Sequence, residues 1–270
     1  MVIFLLFTLI VLVKSNSRCA QDLLPQVPKF YLLEKCQRST LAILVKASFV
    51  SQISCERLAI EKKGLAMNFS PPEVLKDLNE TEVPKYSCEV LKCAESETGL
   101  SLVNDTRYDY YSIYANPLPN INSTCIPGIG MFLMQKKQNF TNGQIECRNK
   151  TGILANVMSE RRIEAVSQML TSASIDVAFI GMSSDNGSDY ISVTGNSFDC
   201  TTYRAWEPGH PKRDRRKYGC VGVTKSRTWR SLSCGLKLPS LCELNPGGPY
   251  KLGTLFANRK KYSKVLSTNT

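Results

Sequence analysis

The densest chemistry in this sequence is a run of cations. Between Glu207 and Arg230 stand Lys212, Arg213, Arg215, Arg216, Lys217, Lys225, Arg227 and Arg230, eight bases against the two acids Glu207 and Asp214. Forked guanidinium groups match the oxygens of sulfate, phosphate and carboxylate, so such a run suits an anionic partner. A second basic stretch, residues 244–270, carries five bases and no acid. The two stretches hold +6 and +5, which is the whole +11 of the chain, so the positive charge is local and not a property of the fold. The tail reads as a solvated, basic extension over 245–270. For the internal run three readings stand together: an anion site, a solvated loop, or a processing target within Arg213–Lys217.

Other chemistry is sparse. His210 is the only histidine, and no acid is placed in the sequence to orient it, so a serine-centred triad has no evident base. Paired carboxylates are not readable at this level, because any two acids can meet in space. Eleven cysteines are expected as disulfides rather than as zinc ligands or free thiols. The expectation is a binding protein with no catalytic residue, no metal and no cofactor. Phe179, Trp206 and Trp229 are expected in the core rather than as binding platforms.

The compartment follows from the chain's start. Met1 precedes the apolar run Val2–Val13 and then Lys14-Ser15-Asn16-Ser17, the pattern of a secretory leader over 1–17. That run is shorter than the roughly 20 residues a bilayer span needs, and no later segment is apolar enough to cross. Sequons open at Asn79, Asn104, Asn122, Asn139, Asn149 and Asn186, and at Asn68, where the following Pro71 makes a poor acceptor. A secreted, glycosylated, extracellular product is expected, with nucleic acid excluded as a natural partner.

The elements that would position these residues fall into two modules. Residues 18–93 read as a small disulfide-rich module with a strand at Leu41–Val45, a short helix at Cys55–Lys62 and strands at Ala66–Phe69 and Ser87–Leu91. Residues 94–124 read as a linker, stiffened by Pro117 and Pro119, whose Tyr108, Tyr110, Tyr111 and Tyr114 can dock on a neighbour. From Gly130 the pattern sharpens. Met131–Met134 opens a sheet, Thr141 and Gln144 form a capping-box start, and Gly152 ends that helix. Ser159 caps a second helix whose Ile163, Val166 and Leu170 share a face. Val177–Met182 is a buried strand, and Cys220–Val223, Thr228–Cys234 and Leu238–Cys242 are closing strands. A long irregular stretch between Ser183 and Tyr218 holds the heart of the basic run.

The order Phe140, Cys147, Gly152, Leu154-Ala155, Phe179-Ile180-Gly181, Gly195, Tyr203, Trp206-x-x-Gly209-x-Pro211, Cys220-Val221, Trp229, Cys234 and Cys242-Glu243 resembles a C-type lectin-like domain over 125–244. The helix with Cys55, the strand ending Asn68-Phe69-Ser70 and the strand Cys88–Leu91 resemble a PAN or apple-type module. The lectin resemblance implies an α+β, C-type lectin-like fold: two helices, short antiparallel strands, a long loop region and disulfides. It pairs Cys147 with Cys242 and Cys220 with Cys234. Cys19, Cys36, Cys55, Cys88, Cys93, Cys125 and Cys200 then remain, an odd number. Cys125 has Cys200 or a cysteine of the first module as its partner, and one cysteine is left free or for a disulfide-linked dimer.

The family is best known for calcium-dependent sugar binding through a Glu-Pro-Asn or Gln-Pro-Asp triplet in the long loop and a Trp-Asn-Asp triplet on a later strand. With Trp206, Gly209 and Pro211 fixing the register, the matching triplets here are His210-Pro211-Lys212 and Trp229-Arg230-Ser231. Lys212 and Arg230 would repel a divalent cation, and imidazole is a poor calcium ligand. The resemblance therefore implies a domain without the primary calcium and sugar site. Glu207-Pro208 imitates the triplet only in a shifted register that abandons the Trp206 to Gly209 spacing. Lys212, Arg213, Arg215, Arg216, Lys217, Arg227 and Arg230 would stand at the family's ligand face. The expected function is calcium-independent recognition of an anionic glycan or acidic protein surface, in innate defence or surface recognition. The alternative is an extracellular protein-interaction or matrix component.

Overall fold

The computed structural model describes residues 28–76, 83–115, 118–119, 123–184, 189–193, 195 and 202–247. The leader, Cys19, Cys200, the sequons at Asn79, Asn122 and Asn186 and the tail beyond Gly247 lie outside the described residues.

In the first module, short strands that alternate their side chains between two faces build an antiparallel sheet. β1 (Tyr31–Glu34), β3 (Ile43–Ala47), β4 (Ala66–Phe69), β5 (Cys88–Leu91) and β7 (Asp109–Ser112) pair in the order β1-β7-β4-β5-β3. The register sets Met67 beside Val90 and Tyr111 on one face, and Asn68 beside Glu89 and Tyr110 on the other. Helix α1 (Gln52–Glu61) covers the apolar face, capped by the Ser51 side chain and bonded to β5 through Cys55–Cys88, and a short helix α2 (Pro72–Lys76) follows β4.

The second face is polar and lies under a two-stranded ribbon, β2 (Gln37–Ser39) with β6 (Leu102–Asn104). Arg38 donates two 2.8 Å hydrogen bonds to the Glu89 carboxylate, and Lys46 Nζ lies 3.0 Å from it. Burial alone would raise the Glu89 carboxyl, but the donors of Arg38, Lys46 and Asn68 outweigh it and hold the group below the ordinary glutamate value. Asn68 Nδ2 donates to Glu89 Oε2 (3.0 Å) and Ser39 O (2.9 Å), while its Oδ1 accepts from Ser39 N (2.9 Å). Both amide protons are thus committed in a buried site. Glycopeptide mapping of the protein from eukaryotic cells is expected to find Asn68 bare; an occupied Asn68 would contradict this packing.

The stretch 94–124 does not act as a spacer. It contains β6 and β7, and β7 sits inside the sheet between β1 and β4. Tyr108, Tyr110, Tyr111 and Tyr114 are buried. Their hydroxyls need partners there: Tyr110 accepts from Glu95 N at 2.8 Å, and Tyr108 donates to Tyr86 O at 2.6 Å.

The second module holds two four-stranded antiparallel sheets. One consists of β8 (Ser123–Ile126), β9 (Gly130–Met134), β10 (Gly152–Leu154) and β15 (Leu241–Leu244), in the order β10-β15-β9-β8. The other consists of β11 (Val177–Ser184), β12 (Tyr190–Ser192), β13 (Cys220–Thr224) and β14 (Trp229–Leu232), in the order β12-β11-β13-β14. Helix α3 (Phe140–Asn149) is capped by Asn139, two residues before the expected Thr141, with Asn139 Oδ1 accepting from Asn142 N at 2.8 Å. It ends at Lys150 rather than at Gly152, with Thr151 taking the left-handed conformation and Gly152 opening β10. Helix α4 (Glu160–Ser172) starts after Ser159 as expected and buries Ile163, Val166 and Leu170.

Cys147 bonds Cys242 and Cys220 bonds Cys234, the pairs the resemblance implied. Cys125 bonds Cys93, one of the two alternatives, and so staples β8 to the end of β5 across the modules. Tyr114 strengthens that junction, its hydroxyl accepting from Met131 N at 2.9 Å. Cys36 is exposed and unbridged. Among the described residues no helix is long and apolar enough to cross a membrane.

Candidate functional site

Strand β14 is an edge of its sheet, and an edge presents backbone groups that need partners. The long loop supplies them. Trp229 N donates to Ala205 O at 2.7 Å, and Glu207 N donates to Trp229 O at 3.0 Å. Further along, Ser231 N donates to His210 Nδ1 at 3.0 Å, and Lys212 N donates to Ser231 Oγ at 2.7 Å. Trp229 anchors this seam from below, fully buried, with its ring edge-on to Tyr203 (5.5 Å) and Trp206 (5.7 Å). Phe179 is likewise buried, while Trp206 is half-buried. Gly209, at φ 80°, turns the chain toward the cis peptide His210–Pro211.

The triplets His210-Pro211-Lys212 and Trp229-Arg230-Ser231 therefore face each other and satisfy each other's polar atoms. Arg230 makes a two-pronged ion pair with Glu207. That pair holds the Glu207 carboxyl below its ordinary range and raises Arg230 in return. Glu207, the acid of the shifted-register alternative, is thus spent on a guanidinium. Among the described residues no group of three or more His, Cys, Asp or Glu side chains is arranged to hold a metal ion.

Beyond Lys212 the chain makes one tight turn. Tyr218 N donates to Asp214 O at 2.9 Å, and Lys217 N donates to Asp214 Oδ1 at 3.1 Å. Asp214 thus acts as the cap of that turn. The far end is pinned by the Tyr190 hydroxyl, which donates to Tyr218 O at 2.8 Å. Arg215 lies over the Tyr190 ring and pairs with Asp189 at 2.6 Å.

The seven cations expected at the site separate into two groups. Lys212, Arg213, Arg216 and Lys217 are exposed on the turn and form no ion pair with another described residue. Arg215, Arg227 and Arg230 are paired with Asp189, Glu164 and Glu207. Arg227 also sits at the tip of the β13–β14 hairpin, four residues of extended strand or about 13 Å from the root of the basic turn. The neutralising acids lie on other elements, and no local pattern in the sequence marks them. A separate cleft of about 550 Å³ lies between Met134, Lys136, Met169 and Ile175, lined mainly by apolar atoms.

Residues 136–244 match the family described as Lectin C-type domain. This segment is a C-type lectin domain. Collectin-10 of Gallus gallus is 22% identical over 112 residues, which is 42% of this chain and 40% of the collectin. Human lithostathine superimposes with a TM-score of 0.41 at 16% identity, over 46% of this chain and 98% of its own. The herring type II antifreeze protein gives 0.40 at 21% identity, over 48% and 99%. C-type lectin-like domains are in general binding modules rather than enzymes.

Proposed function

We propose that this C-type lectin domain recognises an extended anionic partner without calcium, and that a sulfated glycan chain is the ligand class that best fits its loop. One observation carries the reading: the two triplets that would present calcium ligands are tied to each other, while the turn that follows exposes four cations that form no ion pair with another described residue. A protruding turn cannot enclose a small anion, but it can lie along a polymer of high charge density. The turn is closed by an i to i+4 hydrogen bond and pinned at both ends, whereas a processing protease takes its substrate extended. An apolar core, which a protein interface needs, is missing from residues 207–218, where no large hydrophobic side chain is exposed. Four disulfides agree with an oxidising, extracellular setting. Secretion, glycosylation at Asn104, Asn139 and Asn149, an intermolecular bridge through Cys36 and a role in innate defence or surface recognition belong to the same proposal.

The test is binding to immobilised heparin with and without a chelator over a range of salt. Affinity should survive chelation and fall with salt on a log–log slope of about 3, as release of counterions by four cations requires. Chelator-sensitive binding to neutral sugars would sink the reading, and salt-insensitive capture of a protein would favour the interaction-module alternative.

A further inference from the structure

We propose that His210 is the positioning residue of the basic turn, and that protonation of its imidazole releases the turn and weakens anion binding. The proposal rests on the turn's role as the anion site and adds its control. Ser231 is 1% exposed, and its N–H points away from β13 to His210 Nδ1 at 3.0 Å. An N–H bonds only a ring nitrogen that carries no proton, so Nδ1 is the acceptor and the proton of the neutral ring is on Nε2. Ser231 Oγ lies 3.0 Å from the same Nδ1 and accepts from Lys212 N at 2.7 Å. The backbone leaves β14 at Lys212, and Arg213–Lys217 follow at once. The root of the basic turn is therefore held to Ser231 by two bonds, and the one through His210 needs an unprotonated nitrogen.

A proton on Nδ1 would set two donors face to face, the ring N–H and the buried Ser231 N–H. Either the ring turns away or the loop lifts, and in both cases a buried donor loses its partner. The charged groups around the ring are Lys212 and Glu207 on the loop and Arg230 on β14, while the Tyr190 hydroxyl from β12 reaches Ser231, the ring's partner. Burial, then Lys212 and Arg230, push the imidazole below its ordinary value, against the opposing pull of Glu207. The sign follows: the released ring binds a proton more readily than the latched one. The latch is complete above the free-histidine value of about 6.5 and is lost as pH falls below it. Sulfate, lysine and arginine keep their charge over this window, and the chain has no second histidine. Charge counting alone gives the opposite expectation, since an added positive charge beside the turn would strengthen anion binding.

Binding of the full-length glycosylated protein to heparin, measured at constant ionic strength from about pH 7.5 to 5.5, separates the two. The native protein should weaken about 5- to 10-fold on acidification, the effect of one buried hydrogen bond. His210→Asn, whose Oδ1 can accept from Ser231 N without titrating, should hold the neutral affinity within about 2-fold and give a flat profile. His210→Ala should be weak and flat. Native binding that is constant or strengthens on acidification overturns the proposal, as does an unchanged decline in His210→Asn. Hydrogen exchange at the Ser231 amide is read in parallel, and its protection should fall with pH in the native protein only. If heparin is not bound at any pH the anion reading fails, while the exchange profile still decides for or against the latch.

Discussion

Replacing Cys147 and Cys242 together by alanine is expected to cost about 4 to 5 kcal/mol of folding stability, and replacing Cys220 and Cys234 about 3 kcal/mol. The first bridge spans 95 residues of sequence and the second 14. Cross-linking removes more freedom from the unfolded chain when the closed loop is long, which sets the order of the two effects. The positions sharpen the contrast. Cys147 and Cys242 are fully buried between α3 and β15, so alanine there also leaves a void, whereas Cys234 is only half-buried. Trp206 and Trp229 are the only tryptophans and both lie in the lectin domain, so fluorescence during denaturant unfolding reports on that domain rather than on the first module. A larger loss from the Cys220–Cys234 pair than from the Cys147–Cys242 pair would show that loop length is not what decides. The shorter bridge still matters for recognition, because it ties the start of β13, directly after the basic turn, to the segment beyond β14.

The lectin domain was legible because its markers are spaced by the fold itself: two bridged cysteine pairs, the buried helix face of α4, and the tryptophan and glycine positions of the loop. The first module was harder to delimit. Residues 94–124 have the polarity and prolines of a linker, yet the tyrosines that enrich it form part of the core, since a tyrosine is as buriable as a phenylalanine once its hydroxyl is bonded. Composition cannot distinguish a tyrosine that docks from one that is built in. The Cys93–Cys125 bridge was beyond reach for a similar reason, because it depends on how the two modules meet. At the candidate site the sequence located the basic run and the two triplets His210-Pro211-Lys212 and Trp229-Arg230-Ser231. It could not sort the cations, because Asp189, Glu207 and Glu164 neutralise theirs across strand and helix contacts. Nor could it show that the lone histidine is an acceptor for the backbone of β14.

That sorting leads to the second large effect. Reversing Arg213, Arg216 and Lys217 to glutamate is expected to weaken binding to heparin by at least about 100-fold at about 0.15 M salt, and to flatten the salt dependence accordingly. Each reversed residue removes a counterion-releasing contact and adds a repelling one, and the three stand on a single turn. Stability should be little affected, because the exposed side chains take no part in the core and the cap of the turn comes from Asp214. Arg227→Gln is the matched control. It also removes a cation, but one paired with Glu164 at the far tip of the hairpin, so affinity should stay within about 2-fold and stability within about 0.5 kcal/mol. Equal losses from Arg227→Gln and from a single neutralisation on the turn would mean that the ligand responds to the general positive field of the domain. A loss confined to the turn places recognition on Lys212–Lys217 and makes the geometry of that turn, held at one end by Ser231 and at the other by Tyr190, the determinant of what binds.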